Sequence, residues 1–277
     1  MLPRTNGLAV MSGTSPGMTS GNGSAKSIAM SSSASSSPAD LARAKDLDFA
    51  HVDTWVFDLD NTLYPPGLDL WRQIDEKMRA YIANFLGLSL DEAFALQKGY
   101  YRKYGTSLRG LMIEHAMDPD DFLAHVHAID LASLDAAPAL GEALGVLPGR
   151  KLVYTNGSRG HAEQVLAKLG ISHHFADVHD IVAAEFNPKP QEVAYRSFLK
   201  AHDVDPARAA MFEDLARNLE VPHLLGMRTV LVVPPGLAVN PADREAWEHE
   251  GRDGAHINHV TDDLTAFLNN VRAQITS

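Results

Sequence analysis

From Asp53 onward the chain alternates. Short apolar runs that end on polar residues give way to longer stretches whose apolar positions recur every three or four residues. The runs are TWVFD (54–58), KLVYTNG (151–157), DIVAAEF (180–186), AAMFED (209–214) and TVLVV (229–233). Short β-rich runs separated by helical stretches predict a parallel sheet in a doubly wound α/β fold. Residues 160–169 read as a helix with Ser158 as N-cap and Gly170 just past the end. After NPKP (187–190), Pro190 suits the first helical position, and Val193, Ala194, Ser197, Phe198 and Ala201 share one face. Leu264, Phe267, Leu268 and Val271 mark a C-terminal helix, with Asp262 and Asp263 at its positive end.

Residues 65–145 interrupt the alternation, with helical patterns and no strand-like run. Ile74, Met78, Tyr81, Ile82 and Phe85 form one stripe, Ser89 and Glu92 a capping box, and Asp118–Pro119 opens another helix. The stretch is too long for a crossover helix, which predicts an inserted all-helical cap over 65–145. The catalytic core is then 49–64 together with 146–277. Residues 1–48 are Ser/Gly-rich and lack periodicity. They cannot bury enough apolar surface to offset ordering entropy, so a disordered low-complexity tail is expected. The tail is read as an extension or an upstream start, with Met11, Met18 and Met30 as internal candidates. No apolar core follows Arg4 as a signal peptide would require.

Composition narrows the setting. None of the 277 residues is cysteine, which removes disulfides and thiolate metal sites and fits a cytoplasmic location. The formal net charge of −11 disfavours nucleic-acid polymers and anionic membrane surfaces as partners. No apolar run approaches the roughly 20 residues of a membrane-spanning helix. Oligomeric state is not legible.

In a doubly wound sheet, ligands bind beyond the carboxyl ends of the strands. Just past the predicted runs lie Asp58 and Asp60, Thr155 and Asn156, Lys189, and Glu213 and Asp214. One sheet edge thus gathers four acids, a hydroxyl, an amide and an ammonium, and helix N-termini nearby add anion-binding N–H groups. Two like charges 4 Å apart repel by about 4 kcal/mol at an effective dielectric of 20. A phosphate dianion facing these acids therefore needs more than Lys189. A hard divalent ion with oxygen ligands, Mg²⁺ above all, meets that need and keeps a carboxylate nucleophile ionised.

In order and spacing, DLDNT (58–62), TNG (155–157), NPKP (187–190) and FEDLARN (212–218) resemble the four signature motifs of the haloacid dehalogenase superfamily over about 53–233. The stretches FDLDNTLYP, YGTSLRGL (104–111) and LVYTNGSRGHAEQVLAKLGI resemble the pyrimidine 5′-nucleotidases within it. The resemblance implies that Asp58 attacks phosphorus and forms an aspartyl-phosphate. Asp60 protonates the leaving oxygen and then activates water. Thr155 and the Asn156 backbone grip the phosphoryl group, and Lys189 neutralises it and orients Asp58. Asp58, Asp214 and the Asp60 backbone carbonyl hold Mg²⁺, with Glu213 in the outer shell. The haloalkanoate dehalogenases lack the second aspartate of the first motif, and Asp60 is present here, which favours phosphoryl transfer over carbon–halogen hydrolysis.

The implied substrate is a small phosphomonoester, a pyrimidine nucleoside 5′-monophosphate such as UMP or CMP. The alternatives are phosphoglycolate or a sugar phosphate, and, in another class, a receiver-type signalling domain, against which the helical insert argues. Tyr104, Thr106 and Arg109 are candidate substrate contacts from the cap. Tyr64 is placed at the cap hinge or in the core, and Asn218 beside the Asp214 loop. The thirteen histidines do not read as a metal site; His125 and His127 are two apart on a predicted helix and do not face together.

Overall fold

The structure is a computed structural model and describes residues 48–235 and 251–275; the expected 1–48 tail lies outside them apart from Asp48. Six parallel strands are ordered β3-β2-β1-β4-β5-β6. They are β1 Thr54–Phe57, β2 Arg150–Tyr154, β3 Asp177–His179, β4 Ala209–Glu213, β5 Arg228–Val232 and β6 His259–Thr261. Chain order runs outward from β1 to β3, then crosses back to β4 and runs outward the other way. The crevice of a doubly wound sheet therefore opens where β1 and β4 lie side by side.

Alternate side chains along each strand feed two cores. Trp55, Phe57, Val153, Phe212 and Val230 pack on one face with the helices Pro138–Gly145 (α5), Arg159–Leu169 (α6) and Leu264–Ile275 (α9). Val56, Leu152, Tyr154, Met211 and Leu231 pack on the other with Glu192–Ala201 (α7). Burial on both faces explains why the central runs are continuously apolar. Between β1 and β2 the named elements are all helices: α1 (Leu70–Leu86), α2 (Leu90–Tyr104), α3 (Ser107–His115), α4 (Pro119–Val126), then α5. The first four build a third cluster around Ile82, Leu108, Leu111 and Phe122, which also takes in Ile181 from beyond β3. Leu140, Ala143 and Leu144 of α5 instead join the sheet's core, although α5 falls within 65–145. The capping box of Ser89 and Glu92 is present, as is the cap of Asp118 on α4.

Three local expectations are corrected, and one strand is added. Residues 180–186 form turns and not a strand: Asp180 Oδ1 accepts from Ala183 N at 2.9 Å, and Glu185 and Phe186 take left-handed φ of 53° and 57°. The strand is the three residues before them. Pro190 does not open α7; it lies in a turn closed by Gln191 N–H to Pro188 O at 2.9 Å, and Gln191 is the N-cap. Phe85 is exposed and stacks on Tyr81, so the stripe of α1 buries only Ile74 and Ile82 fully. β6 is an edge strand of three residues, too short to read from pattern.

Gly149 leads into β2 with φ of 73°, and a Cβ there would stand 2.0 Å from the Asp53 carbonyl oxygen that accepts from Arg150 N. Backbone cannot yield as a side-chain end can, so Gly149→Ala is expected to cost about 2–4 kcal/mol. At Gly160, early in α6, a Cβ meets nothing within 4 Å. Gly160→Ala should be neutral or stabilise by up to about 1 kcal/mol. Urea denaturation of both variants checks the pair, and equal effects would refute the steric account.

Candidate active site

The polar residues that follow the strands converge on the β1/β4 crevice. β1 ends into Asp58, whose N–H continues the ladder to Phe212 O at 2.9 Å. Lys189 comes in from the loop before α7 with its side chain 1% exposed. Its ammonium donates to Asp58 Oδ1 at 2.7 Å, Glu213 Oε1 at 2.8 Å and the Tyr154 carbonyl at 2.9 Å. Its three protons thus bind the ends of β1, β4 and β2. Thr62 donates to the other oxygen of Asp58 at 3.2 Å. Glu213 is held on both oxygens: Asn218 Nδ2 also donates to Oε1 at 2.7 Å, and Leu215 N to Oε2 at 2.8 Å. Asn218 therefore holds Glu213, the neighbour of Asp214.

Asp58, Glu213 and Asp214 each offer a carboxylate oxygen within 4.8 Å of the others, and all three residues are buried. The donor set is all oxygen and carries more negative charge than Lys189 balances, which fits a hard divalent cation. Asp58 and Glu213 each have both oxygens engaged, and the three carboxylates together form the cluster that could hold an ion.

Thr155 is buried, and its hydroxyl oxygen accepts from Gly157 N at 2.9 Å, leaving the hydroxyl proton to donate. The Asn156 side chain ties the β2 loop to the Lys189 backbone, accepting from Lys189 N at 2.9 Å and donating to Lys189 O at 3.3 Å. Asp60 accepts on Oδ1 from the Tyr64 hydroxyl at 2.6 Å, and His161 Nε2 lies 2.9 Å from the same oxygen. Tyr64 is thus a core residue that touches Asp60.

The electrostatics separate the two aspartates. Burial pushes the Asp58 carboxyl up; Lys189 opposes this, but Glu213 and Asp60 add to it, and the result is about 7. Burial also disfavours ionised Asp60, yet His161 and Tyr64 outweigh it and hold that carboxyl below its usual range. Burial works against a charged Lys189 and a charged His161, and in each the adjacent carboxylates win, so both values are raised.

The cap candidates are engaged elsewhere. The Tyr104 hydroxyl donates to Glu114, and Thr106 Oγ1 caps α3 by accepting from Arg109 N at 3.2 Å. Arg109 Nη1 donates to Phe186 O at 2.7 Å and Asn187 Oδ1 at 2.8 Å, at the base of the Lys189 loop. The structure does not draw Tyr104 or Thr106 into the acid cluster.

Pattern reading missed His161 and His127. The signal was present: His161, Val165 and Leu169 recur at four-residue spacing, which puts a histidine on the buried face of α6.

Residues 52–221 match the family described as haloacid dehalogenase-like hydrolase. Phosphate metabolism protein 8 of Saccharomyces cerevisiae is 30% identical over 134 residues, 43% of this chain and 40% of that protein. The chain therefore spans less than half the length of that relative. L-2-haloacid dehalogenase from Xanthobacter autotrophicus superposes with a TM-score of 0.52 at 15% identity, covering 80% of this chain and 98% of that one. The likeness at that identity is one of fold.

The raised Asp58 sets a pH dependence in protein stripped of metal. A carboxyl with a folded pKa near 7 and an unfolded value of 3.8 contributes stability below pH 4, and loses it as pH rises toward 7. Asp58→Asn removes that loss. In chelator, the variant's melting temperature should gain on the wild type's from pH 4 to pH 7.5; a constant gap would contradict the assignment.

Proposed function

Because the chain belongs to the haloacid dehalogenase-like hydrolases, we propose that it is a Mg²⁺-dependent phosphomonoesterase that uses an aspartyl-phosphate and acts on pyrimidine nucleoside 5′-monophosphates, UMP or CMP. The observation that carries the phosphatase reading is Asp60, two residues past Asp58 and anchored on one oxygen by Tyr64 and His161. A halide leaves as a weak base and needs no acid. An alkoxide leaves as a strong base and does. The nucleotide reading rests on the resemblance of residues 104–111 and 152–171 to the pyrimidine nucleotidases, and the yeast relative's name speaks of phosphate metabolism.

In this reading Asp58 attacks phosphorus as the ester oxygen departs, and Asp60 gives that oxygen its proton. The anchored carboxyl is ionised before substrate arrives. A dianionic phosphate entering beside it raises its proton affinity, as any like charge does, and the carboxyl takes from solvent the proton it then gives to the leaving oxygen. Asp60 then takes a proton from water, the water oxygen attacks the aspartyl-phosphate, and phosphate leaves with Asp58 restored. Lys189 holds Asp58 in line through Oδ1 and offsets charge building on the phosphoryl oxygens. The Thr155 hydroxyl and the Asn156 backbone N–H grip those oxygens.

Asp58, Asp214 and the Asp60 backbone carbonyl would hold Mg²⁺, with Glu213 beyond them. Bound there, the ion supplies positive charge against the carboxylates and the phosphoryl oxygens. The helices α1–α4 of the insert act as the cap that excludes water, with Tyr104, Thr106 and Arg109 as its candidate substrate contacts.

A panel of UMP, CMP, AMP, phosphoglycolate and sugar phosphates tests the substrate. UMP and CMP are expected to lead in kcat/KM; a sugar phosphate ahead by orders of magnitude would overturn the nucleotide reading. Asp58→Asn should lower kcat by at least about a thousandfold, and phosphate release should require added Mg²⁺. Retained turnover in the variant would remove the nucleophile assignment.

A further inference from the structure

His161 is 2% exposed on the first turn of α6, among Ala162, Val165 and Leu166. A buried imidazole needs a polar partner, and it has one: Asp60 Oδ1 at 2.9 Å, the oxygen that also accepts from Tyr64 at 2.6 Å. Two donors on one carboxylate oxygen fix the plane of the group and direct Oδ2 away from both. On its other side His161 lies flat against His127, ring centroids 4.7 Å apart and planes 15° apart. His127 is the C-cap of α4, so it belongs to the helical insert. Its Nδ1 lies 2.9 Å from Ser158 Oγ, the oxygen that accepts from His161 N at 3.3 Å as the N-cap of α6. Burial and the neighbouring His161 push His127 down to about 4, so it stacks as a neutral ring.

We propose that His161, braced by His127 of the insert and aided by Tyr64, is the positioning residue of Asp60: it fixes Oδ1 so that Oδ2 faces the leaving oxygen of a phosphomonoester. The inference rests on the phosphomonoesterase reading above. No proton is transferred by His161 in it. The insert, through one stacked ring, helps set the aim of the acid.

The test separates positioning of an acid from general structural damage. kcat/KM for a nucleoside monophosphate, whose alkoxide needs a proton, is compared with kcat/KM for p-nitrophenyl phosphate, whose phenolate leaves without one. Both report events up to the first irreversible step, before water attack. His161→Leu should lose at least about tenfold on the nucleotide and less than about threefold on the aryl ester. His161→Gln, which returns an N–H donor, should recover most of the loss. His127→Ala should show the same selective loss in weaker form, and His127→Phe, which keeps a flat ring, should not.

Equal loss on both substrates, or none on either, overturns the positioning role. If His161→Leu does not fold, Tyr64→Phe removes the other donor to Oδ1 and must change the ratio in the same direction; an unchanged ratio also overturns it. Wild-type protein that hydrolyses neither ester with Mg²⁺ would instead remove the phosphatase reading on which this inference rests.

Discussion

The ammonium of Lys189 is the constraint on which the site depends. A buried cation loses its hydration, and only well-placed acceptors can replace it. Lys189 finds three, one at the end of each of three adjacent strands: the Tyr154 carbonyl of β2, the Asp58 carboxylate past β1 and the Glu213 carboxylate of β4. That set exists only if β2, β1 and β4 are neighbours, as the order β3-β2-β1-β4-β5-β6 makes them. The converse also holds. Without the lysine, Asp58 and Glu213 would face each other with Asp214 close by, and the like charges would repel. One side chain therefore joins the packing of the sheet to the protonation state of Asp58.

Asp58 and Asp60 are two residues apart and in different environments. Asp58 shares its lysine with a second carboxylate, so its anion is incompletely offset and a divalent ion has reason to bind. Asp60 has a phenol and an imidazole to itself, and its anion is satisfied by the protein alone. Identical groups acquire opposite shifts because their partners come from different elements: Lys189 and Glu213 from the β3 and β4 side, Tyr64 and His161 from the segment after β1 and from α6. A D-x-D spacing at the end of a strand permits this division by sending the two side chains into separate surroundings.

The parts of the fold legible in the sequence are those where local pattern and tertiary demand agree. Buried strands 54–57, 150–154, 209–213 and 228–232 are apolar because both faces are covered, and Ser158 and Gly170 bound α6 with the caps their residue types favour. Legibility fails where a long-range partner overrides pattern. Residues 180–186 look like a strand, but Ile181 is taken up by the insert's cluster and Asp180 folds the backbone into turns. Pro190 suits a helix start, but the Asn156 side chain holds the Lys189 backbone and delays α7 by two residues. Asp58, Lys189, Glu213 and Asp214 were identifiable because each follows its own strand or motif. His161 shows in the pattern only as a histidine on the buried face of α6, because its partner Asp60 lies 101 residues away.

The insert's attachments bear on how recognition and chemistry are related. A lid that only selected substrate could touch the core anywhere around the crevice. The insert touches the loop that carries Lys189 and the ring of His161 beside Asp60. Arg109 holds Phe186 O and Asn187 at the base of the Lys189 loop. Gly105 lies so close to Pro188 that a Cβ there would stand 2.9 Å from the proline Cγ. His127 stacks on the ring that contacts Asp60. The cation and the acid are thus both fixed partly by residues from outside the sheet. Displacing the helices would loosen two groups at once, and rigid placement within fractions of an ångström is what proton transfer and in-line attack demand. In the proposed phosphomonoesterase, a sequence change in 100–127 should therefore register in turnover as well as in affinity, because the contacts that attach the insert also bear on the Lys189 loop and on His161 beside Asp60.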